Sequence, residues 1–243
     1  MIKHKRLNIY IFFSSLILLS ISCTDTLIGD KGELDEDIFL NYQSQTELEL
    51  PFENEMETNI EWTINQGGRT GLENNHFSNR EARYGVDFGQ KVNGVGFTGD
   101  GTNNEDYYSF GERVNAPGDG KVIALMNNID DNAVVGDFNT DQPLGNFITI
   151  DHLNGEFSFL AHFQKNSIIV ALGDTVQKGQ EVGKLGNSGR STGPHLHYHM
   201  QTTPNYEEGS GNGIGLPMQF LNYFADDVFI EKGEPIKGQI VHK

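Results

Sequence analysis

Three histidines stand on alternate residues late in the chain: His195, His197 and His199, within GNSGRSTGPHLHYHM from Gly186 to Met200. In an extended strand, residues two apart share a face. The three imidazoles therefore form a ladder, with neighbouring Cα atoms about 6.6 Å apart at a rise of ~3.3 Å per residue. Imidazole is the commonest metal ligand and a proton shuttle near neutral pH. The spacing suits one histidine that holds a metal ion and a second that acts on the water bound to it. Two further residues could join this chemistry, Asp87 in RYGVDFG and His162 in FLAHF.

The elements that must position these groups read as strands. Arg83 to Gly89, Val114 to Met126, Phe147 to His152, Phe157 to Phe163, Ile168 to Ala171, Glu181 to Leu185 and His195 to Gln201 are short strand-like runs, nearly all punctuated by Gly, Asn, Asp or Pro. With 29 glycines and no long segment of 3.6-residue period, the expected fold class is all-β. It is a compact antiparallel sheet or sandwich with long loops and at most one or two short helices. TELELPFENEMETNIEWTINQGG, which carries the only tryptophan, Trp62, reads as one or two strands entering the fold, with Gly67-Gly68 as a turn. GIGLPMQFLNYFADD is the one candidate for a short helix, and Val228 to Lys243 reads as a peripheral strand and tail. Two insertions, Asn93 to Gly111 and Asn127 to Gly145, are expected at the rim of the site. The second carries Asp130, Asp131, Asp137 and Asp141 without the spacing of a calcium loop, so these are expected to be solvated.

The N-terminus has the pattern of an export signal: Lys3, His4, Lys5 and Arg6 precede an apolar run from Ile9 to Ile21 that is short for a membrane span. The only cysteine, Cys23, ends LSISC, which resembles the lipobox of bacterial lipoproteins. A single cysteine excludes an intramolecular disulfide. The expectation is lipid attachment at Cys23, with the mature domain held to a membrane and facing the periplasm or the cell exterior; a free thiol in an ordinary signal is the plainer alternative. The resulting organisation is a signal over 1–22, an acidic tether over 23–45, entering strands over 46–82, a β core over 83–203 and a C-terminal piece over 204–243. The formal net charge of −17 argues against nucleic acid or an anionic lipid surface as a partner.

From about Arg83 to Met200, the chain resembles the lysostaphin/LytM-type zinc endopeptidases, which cut peptide cross-links in bacterial cell walls. The resemblance rests on VALGDTVQKGQEVGKLGNSG, on GPHLH, on the isolated His162 after an aromatic strand, and on Asp87. It implies zinc as cofactor, Asp87 and His197 as ligands, and His162 and His195 as the two catalytic histidines that do not bind metal. It also implies a water activated by zinc, one of these histidines taking its proton and the other stabilising the oxyanion, with peptidoglycan peptides as substrate.

One element of the family pattern is broken. Where H-x-G-x-D would place the first zinc ligand, this chain has Arg83, and a guanidinium neither offers a lone pair nor deprotonates. Three resolutions stand open. His76, in the polar loop eleven residues before Asp87, folds back to complete a His76/Asp87/His197 set; or His199 supplies the ligand from the ladder; or the domain has lost zinc and works by binding. The last gives the rival function, an inactive lipoprotein that binds peptidoglycan or regulates a partner cell-wall hydrolase. A likeness of GDTVQKGQEVGKLGNSG to biotinyl and lipoyl carrier hairpins would leave the histidines idle in an exported chain. His152 reads as structural, on the solvent side of a strand end.

Overall fold

The computed structural model describes residues 41–53, 59–206 and 212–243. The expected export signal, Cys23 and the acidic stretch as far as residue 40 lie outside the described residues.

Thirteen strands are named among the described residues: β1 (Ile60–Gln66), β2 (Val86–Val92), β3 (Arg113–Asn115), β4 (Gly120–Met126), β5 (Asn146–Asp151), β6 (Phe157–Phe163), β7 (Thr175–Val176), β8 (Glu181–Lys184), β9 (Leu196–Gln201), β10 (Gly215–Leu216), β11 (Phe220–Ala225), β12 (Val228–Gly233) and β13 (Ile240–His242). Eleven form one large sheet in the order β12-β11-β13-β1-β2-β9-β6-β5-β4-β7, with β10 added beside β9. β3 and β8 make a separate two-stranded sheet. Every pairing between named strands is antiparallel. The all-β expectation therefore holds.

β9 is buried along its whole length, and its two faces do different work. Leu196, Tyr198 and Met200 point to one side and His197, His199 and Gln201 to the other, as the two-residue period requires. The first set joins Val86, Phe88, Ile148, Ile150 and Leu160 in the core behind the sheet. The back is closed by the incoming chain and by β11. Phe52 stacks on Trp62 at 4.0 Å and meets Phe88 edge-on at 5.4 Å, and Phe220 packs against Phe88 and Tyr198. Each such side chain withdrawn from water contributes roughly 1.5–3 kcal/mol.

The folded body begins earlier than the sequence pattern indicates. Glu156, just before β6, is 1% exposed. Its carboxylate accepts hydrogen bonds from the Tyr42 hydroxyl (2.6 Å), the Gln45 and Thr46 amides (2.8 Å each) and the Thr46 hydroxyl (2.5 Å). Burial alone would raise its pKa, but these donors outweigh burial and hold it below the ordinary carboxylate range. The last residues of the stretch expected as tether, 42–45, are thus part of the fold.

Three element assignments are corrected. The segment expected as a helix forms β10 and β11 instead. Within β11, Asn222 has a φ of 50°, a left-handed value that interrupts the strict alternation of sides. Its buried residues fall at Phe220, Tyr223 and Ala225, a spacing that imitates a helical face. Ile168 to Ala171 is not a strand. The Asn127 side chain captures the Ile168 amide and carbonyl, and Asn166 turns the chain at a φ of 58°. Strand pairing resumes only at β7. Val114 to Met126 is one run in sequence but two strands in space, broken at Pro117-Gly118-Asp119, with β3 and β4 in different sheets.

His152, at the end of β5, is structural as expected. Its Nδ1 donates to the Asp119 carbonyl (2.7 Å), and Nε2 accepts from Ser158 Oγ (2.7 Å), which is bonded in turn to the Tyr198 hydroxyl (2.7 Å). Burial pushes its pKa down, and the Asp119 carbonyl with Glu156, Asp151 and Asp119 opposes this only in part. The folded state then binds fewer protons than the unfolded chain, so this group's contribution is complete above the unfolded pKa of about 6.5 and is lost as pH falls below it, by up to ~1.4 kcal/mol per pH unit. In urea denaturation, the stability gap between wild type and His152→Gln should narrow from pH 8 to pH 5.5. A gap independent of pH would refute this account.

Candidate metal centre

Strand register creates the first half of the site. Asp87 on β2 is the direct cross-strand partner of His197 on β9, and His197 Nδ1 lies 2.9 Å from Asp87 Oδ1. The second half comes from the loop before β2. Residues Asn75–Ser78 form a 3-10 turn that carries His76, and Asn74 caps it through a hydrogen bond from the His76 amide to Asn74 Oδ1 (3.0 Å). Asn74, 1% exposed, also donates from Nδ2 to the carbonyls of Gly68 (3.1 Å) and Gly85 (2.9 Å), stapling the turn to the start of β2. His76 Nε2 then reaches both Asp87 oxygens at 3.0 Å.

Gly85 makes this approach possible, since a Cβ there would stand 2.9 Å from His197 Cε1 and 3.3 Å from His76 Cδ2. Arg83 turns to another task. Its Cζ sits 4.1 Å from the centroid of the Phe77 ring, a cation–π contact on the residue that follows His76.

His76, Asp87 and His197 each offer one ligand atom, and these atoms lie within 4.8 Å of one another. Two imidazole nitrogens and a carboxylate oxygen are a donor set that zinc accepts in tetrahedral sites. Bonds of ~2.0–2.1 Å at that angle put neighbouring donors ~3.3 Å apart, close to the 2.9 and 3.0 Å seen for the pairs with Asp87. The protonation states also fit. Burial would raise the Asp87 pKa, but His76, His195 and the hydrogen bonds from His197 and His76 hold it well below the usual carboxylate range. Burial, reinforced by His76, pushes His197 down to about 4, which keeps it neutral, the form that binds metal. The residues fit a zinc ion.

His199 does not join this set. Its Nδ1 lies 2.9 Å from His197 Nε2, the nitrogen that faces away from Asp87, so it orients His197 from behind. It stacks on Phe159 with centroids 4.7 Å apart.

His162 and His195 flank the cluster, with ring centroids 4.8 Å apart. His162 Nδ1 is 2.8 Å from the Ser188 carbonyl, and His195 Nδ1 is 2.8 Å from the Gly193 carbonyl. A carbonyl only accepts, so both Nδ1 atoms carry hydrogen and both Nε2 atoms are left for chemistry. His195 Nε2 lies 3.7 Å from Asp87 Oδ1. Burial, then the neighbouring His195 and His197, push the His162 pKa well down. His162 also has a φ of 67°, a left-handed backbone unusual for a non-glycine and recurrent at functional sites.

The loop 186–194, which supplies the Ser188 and Gly193 carbonyls, is held by residues that the sequence does not single out. Asn132 Nδ2 is within 3.0 Å of the carbonyls of Asn187, Gly189 and Ser191. Asp131 accepts the Asn187 and Lys165 amides (2.7 and 2.9 Å), which corrects the expectation of a solvated aspartate there. From the other insertion, Asn104 Oδ1 accepts from Asn187 Nδ2 (2.8 Å), and Ser109 Oγ donates to the Pro194 carbonyl (2.8 Å). Both insertions thus brace this loop. The one sequence signal for such bracing is the density of Asn and Asp, residues whose short side chains bond to nearby backbone.

The comparisons with known proteins give this constellation a class. Residues 102–209 match the model of peptidase family M23, a stretch that holds His162, His195 and His197 and starts after Asp87. Over those residues the chain is similar to this peptidase family. It is 45% identical over 56 residues to the peptidoglycan DD-endopeptidase ShyA of Vibrio cholerae, covering 23% of this chain and 13% of that protein. It is 46% identical over 57 residues to the DD-carboxypeptidase/endopeptidase Mpg of Neisseria gonorrhoeae, covering 24% and 13%. These matches span about an eighth of the relatives' length. Among solved structures, a mutant catalytic domain of the prophage-encoded M23 protein EnpA from Enterococcus faecalis aligns with 69% of this chain and 92% of its own, at 21% identity and a TM-score of 0.39.

Proposed function

We propose that this chain is a zinc-dependent endopeptidase that hydrolyses peptidoglycan peptides in the cell envelope, held to a membrane by acyl chains on Cys23. The observation that carries the reading is the convergence of His76, Asp87 and His197 within 4.8 Å beside two histidines whose Nδ1 atoms are tied to carbonyls. Relatives named for peptidoglycan endopeptidase activity support the substrate class.

His76, Asp87 and His197 would hold the ion. Bound there, zinc supplies a Lewis acid that polarises water and the scissile carbonyl. The remaining work falls to the chain's own groups. Burial keeps His162 neutral, with its Nε2 lone pair available to accept a proton from the attacking water. His195, fixed through Nδ1, presents Nε2 from the other side and, when protonated there as well, would donate a hydrogen bond to the oxygen on which negative charge develops. The pair then returns a proton to the departing amine. His199 meets the other nitrogen of the His197 ring, Nε2, at 2.9 Å, the kind of outer support that sets a ligand's tautomer.

The test is digestion of purified peptidoglycan sacculi by the purified protein, before and after chelation and after zinc is restored. New free amino groups that disappear with chelator and return with zinc are the expected result. Intact peptides in every arm, with no zinc bound, would instead support the reading as an inactive binding lipoprotein that the loss of a histidine at Arg83 suggests.

A further inference from the structure

The face of the sheet that carries the metal centre continues past it. On β9, His199 shares a side with His197. Strand register sets His199 opposite Phe159 on β6, Phe159 opposite Thr149 on β5, and Thr149 opposite Ala124 on β4. Cross-strand partners lie on the same face. A row of side chains therefore runs perpendicular to the strands from the metal centre, one step of ~4.8 Å per strand.

Over this row lies a cavity of about 470 Å³. Ala124, Phe147, Thr149 and Phe159 make its floor; residues 142–145 form one wall and residues 204–206 the other. It opens directly off the site. Phe159 stacks on His199, Tyr206 lies 5.3 Å from the same ring, and the Leu144 carbonyl accepts from the His162 amide at 3.0 Å. Its size is in the range of pockets that bind small organic groups, well beyond what a glycine or a methyl needs.

Among the described residues the lining holds no Asp, Glu, Lys, Arg or His, so an ionised side chain that entered would lose its water with no opposite charge from these residues to meet, a large penalty. One polar group on the floor is unpaired. Thr149 is 0% exposed, and its Oγ1 has no hydrogen-bond partner. A buried hydroxyl in that state is costly, and the cost would be recovered by a guest that parts the side chains covering it and supplies the partner.

We propose that this cavity is a specificity subsite that receives an uncharged, partly apolar side chain of the peptide substrate, with Thr149 as the group that hydrogen-bonds to it. The proposal rests on the peptidase reading for the identity of its guest. Thr149 stands two strand spacings, ~10 Å, from β9, and an extended peptide advances ~3.3 Å per residue. The side chain received is therefore two to three residues from the scissile bond.

The test uses cross-linked peptidoglycan peptides in which each residue within three of the cut is in turn Gln or Glu. Hydrolysis, equilibrium binding and zinc content are measured for wild type, Ala124→Phe and Thr149→Val. In wild type, Gln should be preferred over Glu at least tenfold in kcat/KM at one such position. Ala124→Phe fills the cavity and should abolish that preference and raise KM at least tenfold, with zinc content unchanged. Thr149→Val keeps the shape and removes only the hydroxyl. It should raise KM about three- to tenfold, the worth of one ordinary hydrogen bond, while its thermal midpoint stays the same or rises. A lower midpoint would mean that the hydroxyl is paired within the protein, and it would overturn the proposal, as would KM values and a Gln/Glu ratio equal to wild type in both variants. If wild type cleaves nothing but binds the Gln peptide, and both variants weaken that binding, the subsite stands and the peptidase reading fails. If wild type neither cleaves nor binds these peptides, both fall.

Discussion

His76→Ala should strip the protein of zinc. Wild type is expected to hold about one ion per chain, as a three-ligand site does. The variant keeps only Asp87 and His197, and its affinity should fall by more than about a hundredfold, since loss of a mere outer-shell partner already costs about ten- to a hundredfold. The informative control is Arg83→Ala. Arg83 stands where the resemblance to the zinc endopeptidases would expect a ligand, but its guanidinium lies against Phe77, so the alanine variant should still bind zinc stoichiometrically. Metal analysis after dialysis against a graded chelator reads both variants. Wild-type affinity in His76→Ala would show that another group completes the set and would refute the site as described. His199 is poorly placed for that role, because it meets His197 at the nitrogen opposite Asp87.

His162 and His195 should behave in the opposite way, with metal kept and turnover lost. Each presents Nε2 to the cluster and commits Nδ1 to a carbonyl. Removal of a general base or an oxyanion donor costs about 10²- to 10⁴-fold. For His162 the substitution must respect the backbone, whose φ of 67° disfavours most side chains but is tolerated by asparagine. His162→Asn therefore removes the imidazole with the least disturbance of the strand end. His162→Asn and His195→Ala should each lower kcat by at least about a hundredfold with zinc content unchanged, and the double variant should lose less than the product, because the two act as one unit. Zinc loss in either single variant would mean that these residues hold the metal site together, and their assignment to proton transfer would fail.

Much of this site can be read from local pattern. The alternation in HLHYHM gives the shared face of His197 and His199, and the punctuated apolar runs give the sheet. What the pattern cannot give is long-range register. That Asp87 faces His197 follows from the pairing of β2 with β9, across 110 residues of sequence. His76 is visible only as a histidine in a polar loop, and Asn74, which brings it into place, carries no signal beyond a type suited to capping. The helix assigned to the C-terminal piece failed at a single residue, Asn222, whose left-handed backbone shifts the buried positions to a helix-like spacing. Asp131 and Asn132 look like solvated loop residues until the loop they brace is folded over them.

Glu156 gives the domain a mooring point. It fastens residues 42–46 at the start of β6, while His162 lies at the far end of the same strand, six residues and ~20 Å away at the strand rise. Residues 42–46 and His162 are thus tied to opposite ends of one strand. A pull on residues 42–46 would be borne by the Glu156 carboxylate at one end of β6 and by the Gln219 side chain, which accepts the Ser44 amide at 2.7 Å, so that the load enters the sheet well away from His162.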